Sequence, residues 1–132
     1  MVTRTSLKVP FPTWIIRGLG EKEEELGKIL NENNIKISVI TESKKKLQGT
    51  KETEHYTDIY SGVDRHIRGQ SGVIIWIHRS ISNKTDHYKF WNDRVIETRL
   101  KTQRGHLTIL GVYAPTEGRD ELLKNFMKHY RR

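Results

Sequence analysis

The run Val73-Ile74-Ile75-Trp76-Ile77 limits what this chain can fold into more than any other feature of it. Every position carries a branched or aromatic side chain, and neighbouring residues of a strand point to opposite faces, so a strand made from this run must be covered on both sides. It is far shorter than the roughly 20 residues a membrane span needs, and the first 20 residues hold no signal-like apolar core. A soluble intracellular protein, nuclear or cytoplasmic, is therefore expected. The run belongs at the centre of a sheet, inside a chain of 132 residues that suits one domain at the small end of the range.

The remaining pattern supplies its neighbours. Thr13–Arg17 reads as a short strand after Pro10 and Pro12, ended by Gly18 and Gly20. A helix should follow, with Glu21, Glu23 and Glu24 in the first turn, where the macrodipole favours acids. Leu19, Leu26, Ile29 and Leu30 share one face of it, and Asn33-Asn34 offers a left-handed exit. Further strands are expected at Lys36–Ile40, His55–Ser61, Gly72–His78, Arg94–Lys101 and Leu107–Tyr113. From Thr116 onward Leu122, Leu123, Phe126, Met127 and Tyr130 recur at helical spacing. The expected fold class is thus α/β, one mostly antiparallel sheet with two flanking helices. Those helices cover one face, so the other apolar face is expected to need a partner.

Charge narrows the possible partners. Lys and Arg number 24 against 16 Asp and Glu, a net charge of +8, and that field favours anions such as nucleic acid. Cysteine is absent, which excludes disulfides and thiolate zinc sites. The six histidines form no i,i+4 pair, and a third glycine of a dinucleotide fingerprint would fall on Glu23, so neither zinc nor a dinucleotide is expected. Asp86-His87 lacks a third group and reads as solvated loop.

Two places remain where chemistry can gather. Glu42 follows the Lys36–Ile40 strand, and a carboxylate at a strand end can hold Mg²⁺ while leaving positions for water and phosphate. At the other, Pro115 stops the ladder after Tyr113 and forces Ala114 to be extended, which directs the Tyr113 phenol to the sheet rim. Arg119, four residues beyond Pro115, brings a forked guanidinium suited to phosphate. Arg65, Arg68, Lys89, Arg94 and Arg104 can extend such a site along a nucleic-acid backbone, or simply be solvated surface.

Four segments, Thr13-Trp14-Ile15-Ile16-Arg17-Gly18-Leu19, Ile40-Thr41-Glu42-Ser43-Lys44, Asp93-Arg94-Val95-Ile96-Glu97 and Tyr113-Ala114-Pro115-Thr116-Glu117-Gly118-Arg119, resemble in order the endonuclease/exonuclease/phosphatase (DNase I-like) superfamily. Within it they look most like the apurinic-type endonuclease domains of LINE-type retrotransposons and the related craniofacial development protein 2. The resemblance implies the N-terminal half of a DNase I-like four-layered α/β sandwich, spanning 1–132 as a single partial domain. It also implies DNA nicking by a metal-activated water, with Glu42 as the Mg²⁺ ligand, Tyr113 as the catalytic phenol, and Arg94 and Arg119 as contacts to DNA.

Two departures shape the expected activity. The family's first strand carries Trp-Asn where this chain has Trp14-Ile15, so an amide that would orient a carboxylate is replaced by hydrocarbon. The family's Gly-Asp-Phe-Asn strand, its later Asp and its final Asp-His pair have no counterpart among the 132 residues. The chain is therefore expected to be catalytically incomplete, either a fragment of a Mg²⁺-dependent endonuclease or a non-catalytic nucleic-acid-binding or partner-dependent remnant.

Overall fold

The computed structural model describes residues 2–4, 11–17, 23–41, 47–62 and 72–113. Three layers are built from them: one helix, a six-stranded mixed sheet, and a three-stranded antiparallel sheet. The large sheet contains β1 (Val2–Arg4), β2 (Thr13–Arg17), β3 (Ile37–Thr41), β4 (Gln48–Glu52), β5 (Tyr56–Ser61) and β6 (Val73–His78), in the spatial order β1-β2-β3-β6-β5-β4. Helix α1 (Glu23–Glu32) connects β2 to β3, the one parallel pair, and every other pairing in the sheet is antiparallel. The small sheet contains β7 (Thr85–Asn92), β8 (Val95–Thr102) and β9 (Gly105–Val112). A 3-10 turn at Ser82–Lys84 leads into it.

β6 sits inside the large sheet, and its two faces feed two separate cores. Ile74 and Trp76 point towards α1 and pack with Ile16, Leu30, Ile35, Ile40 and Tyr56. Val73, Ile75 and Ile77 point the other way and meet Ile96 and Leu100 of β8, with Phe90, Leu107 and Ile109 at the margin. Stiff β-branched side chains suit both the strand backbone and this close packing.

The expectation of one sheet with an uncovered face needing a partner is therefore corrected. The chain covers that face itself with β7, β8 and β9. Gly111 shows how closely the layers approach, because a Cβ there would lie 3.0 Å from Val73 Cγ2 and 3.1 Å from Ile75 Cγ1. The second expected helix falls on residues outside the described set. Among the described residues no helix is long and apolar enough to cross a membrane.

α1 begins with Glu23, Glu24 and Glu25 and ends in a Schellman arrangement. Asn34 takes the left-handed conformation at φ 57°, its N–H donates to the Asn31 carbonyl, and the Ile35 N–H donates to the Leu30 carbonyl, each at 3.0 Å. Leu30 is buried and Leu26 partly so, whereas Ile29, placed by periodicity on the same face, is largely exposed.

The helix end is also tied to β6 through His78. The Ser80 N–H donates to Nδ1 at 3.1 Å, which leaves the proton on Nε2, 2.7 Å from Asn31 Oδ1. Burial first, then the charges of Lys36 and His55, hold the His78 pKa below its ordinary 6.5. The folded state therefore binds fewer protons at this ring than the unfolded state does. Its contribution to stability is complete above pH 6.5 and is lost as pH falls through the depressed folded value. Urea midpoints measured from pH 8 to pH 5 are expected to fall on the acid side, with a shallower fall in His78→Gln. Equal slopes in the two proteins would remove His78 as the cause.

Candidate nucleic-acid interface

Strand register brings several chain ends to one rim of the sandwich. Val73, the first residue of β6, is paired with Thr41 at the end of β3 and with Ser61 at the end of β5. Thr41 is in turn paired with Arg17, the last residue of β2. From the small sheet, Gly111 lies against Val73, so β9 also ends at this rim, one residue before Tyr113.

The β7–β8 turn closes the arrangement. The Ser61 hydroxyl donates to the Asn92 carbonyl, linking the two sheets, while Asn92 Oδ1 accepts the Arg94 N–H at 2.8 Å. The Tyr113 N–H donates to the Arg94 carbonyl at 2.8 Å. The Arg94 guanidinium lies 5.5 Å from the centre of the Tyr113 ring. Tyr113 and Arg94 are thus brought together, both partly exposed, as a phenol and a guanidinium on one edge. A guanidinium resting on a ring keeps its forked donors and its charge for an incoming anion.

Glu42 and Arg119 lie outside the described residues, as do Arg65 and Arg68. In sequence Glu42 follows Thr41, and Thr41 is at this rim. Ile15, standing where the resemblance calls for an amide, is 40% exposed on β2. Lys89 is on β7, and Arg104 is exposed in the β8–β9 turn, at the opposite end of β8 from Arg94. Asp86-His87 is in β7 rather than in a loop, and each residue has its own partner. Asp86 contacts Arg99 at 3.0 Å and His106 at 3.1 Å, and its carboxyl is held below the usual range, chiefly by the Arg99 hydrogen bond. His87 pairs with Glu97 at 3.1 Å.

Sequence reasoning missed Asn92 and Ser61 as parts of this rim. The Asn92-Asp93 dipeptide carries a turn signal that would have located the hairpin. Ser61 carries none, since its role depends on a contact between two sheets.

A second concavity lies between α1 and β4, with a volume of about 410 Å³. Glu23, Glu24, Glu52 and Glu54 line it against one lysine, Lys51, with Trp76 and Gly27 also in the wall. Lys51 Nζ is 3.4 Å from Glu23 and 3.9 Å from the fully buried Asp58. Its four carboxylates give it a lining that disfavours phosphate, unlike the rim.

Among the described residues no group of three or more His, Cys, Asp or Glu could hold a metal ion. The described part of the rim is thus a cation and phenol surface, and Mg²⁺ there would depend on Glu42. No family model matches the chain, and no curated protein matches it.

Proposed function

We propose that this chain binds DNA through the rim formed by the ends of β3 and β9, and that it derives from a Mg²⁺-dependent phosphodiester endonuclease of retrotransposon type. One observation carries the reading. Thr41, which precedes Glu42, and Gly111, two residues before Tyr113, both lie against Val73, although about 70 residues separate them in sequence. A nuclease of this chemistry needs a metal-holding carboxylate and a phosphate-facing phenol on one edge.

In this reading Arg94 and Arg119 contact phosphate, Tyr113 offers its hydroxyl to a phosphate oxygen, and Glu42 is the residue that would hold Mg²⁺. The metal's contribution would be to neutralise charge on the phosphate. The chain's own groups bind and orient the strand, and Ile15 offers no polar atom to assist them.

These 132 residues are expected to bind DNA without cutting it, since catalytic groups that act as a unit lose most of their effect when one is missing. Supercoiled plasmid incubated with the chain and Mg²⁺ should be retarded on a gel yet stay supercoiled. Nicking that disappears in Glu42→Ala would show a complete catalytic centre. Absence of retardation at low salt would remove the DNA reading.

A further inference from the structure

β7 carries two extra residues relative to β8. The register passes from Thr85 opposite Leu100 to His87 opposite Arg99, and from Phe90 opposite Ile96 to Asn92 opposite Val95, leaving Asp86 and Trp91 as the bulged positions. A bulge re-aims the side chain it carries. Here it places an indole, 36% exposed, beside the hairpin turn that reaches the rim. β7 is also an edge strand, and Tyr88 on it is 51% exposed.

The cations near this bulge are disposed unlike others of the same sheet. Arg99, His87 and His106 are paired with carboxylates. Lys89 instead lies over the Trp91 ring, 3.7 Å from its centre, and Arg94 lies over Tyr113. Neither has an ion pair among the described residues. A cation on an aromatic face keeps its charge, so this hairpin presents a partly exposed indole with Lys89 over one face and, at the turn, the Arg94 guanidinium, neither cation ion-paired among the described residues.

We infer that this tip is a stacking site for an exposed base of single-stranded DNA, with Trp91 as the platform and Lys89 and Arg94 as contacts to the adjoining phosphates. The inference rests on the DNA reading above and adds a contact outside the Glu42 and Tyr113 edge. A stacked base takes an aromatic face regardless of its identity, while a duplex keeps its bases stacked on one another and offers none. The charge of the chain, +8, suits that partner. A protein partner would favour a continuous apolar patch, and here Lys89 and Arg94 interrupt the aromatic residues.

The test uses the full chain, fluorescence anisotropy, and a labelled oligothymidine of about 20 nucleotides beside a duplex of equal length. The wild type should bind the single strand more tightly than the duplex. Trp91→Ala should weaken single-strand binding by about 5- to 150-fold, and Trp91→Phe should restore most of it. Lys89→Met should lower the slope of log affinity against log salt by about 0.7.

Equal single-strand affinity in Trp91→Ala and wild type, or tighter binding of duplex by the wild type, would overturn the inference while leaving the DNA reading in place. Failure of the wild type to bind either DNA would overturn both. Should Trp91→Ala lose its cooperative thermal transition, the Phe and Met variants decide: binding weakened by Trp91→Phe less than tenfold and the lowered Lys89→Met slope support stacking, and an unchanged slope rejects it.

Discussion

Trp76→Ala is expected to cost about 3–5 kcal/mol of unfolding free energy, against a total of about 5–15 kcal/mol for a domain of this kind. Trp76 is the largest fully buried side chain and stacks on Tyr56 with ring centres 5.3 Å apart and planes 19° apart. Tyr56 is itself fixed, its hydroxyl donating to the Ile35 carbonyl at 2.7 Å just past the end of α1. Removing the indole therefore opens a cavity under the helix, and the neighbouring ring is held too firmly to fill it.

Trp76→Phe should cost less than half as much. It keeps a ring on Tyr56 and deletes an indole N–H that is buried with no hydrogen-bond partner among the described residues. Urea unfolding followed by circular dichroism measures both. A loss below about 1.5 kcal/mol in Trp76→Ala would mean that the layer between α1 and β6 is not close-packed.

The same strand shows what the sequence could reveal. Val73–Ile77 is apolar at every position, and burial on both faces followed directly. What covers each face did not follow, because periodicity shows that a face is apolar without naming its neighbour. The cover is a second sheet made of β7, β8 and β9, and its first strand, β7, was hidden by its own bulges. Each extra residue changes which side the following residues face, so Thr85–Asn92 never shows the clean alternation that marks a half-buried strand. Without β7, the strands now seen as β8 and β9 looked like further members of a single sheet.

β4 was missed for a different reason. Gln48–Glu52 is almost wholly exposed and contributes no apolar side chain to either core, so backbone pairing with β5 holds it in place. The elements read most accurately were those with both a pattern and a stop signal: Thr13–Arg17, and the helix with its exit at Asn34. At the rim, Pro115 gave a reason to single out Tyr113. The neighbouring Arg94 was one of several basic residues until the β7–β8 turn placed its guanidinium over the Tyr113 ring.

That pairing makes Arg94→Ala the informative variant for DNA affinity. If Lys89, Arg94 and Arg119 each neutralise one phosphate of a duplex, log affinity should fall against log salt with a slope of about −2.7. Affinity would then drop about 40-fold between about 50 and 200 mM salt. Arg94→Ala should weaken binding at the lower salt and reduce the slope by about 0.9, leaving a fall of about 12-fold over the same interval. The fold should survive, because the contacts that hold the turn use the Arg94 backbone: its N–H donates to Asn92 and its carbonyl accepts from Tyr113. Arg104→Ala is the matched control, removing the same charge at the far end of β8, and should change the slope little. Equal slopes for wild type and Arg94→Ala would mean that phosphate does not meet this rim. A parallel loss in Arg104→Ala would mean that net charge alone, without a site, accounts for the binding.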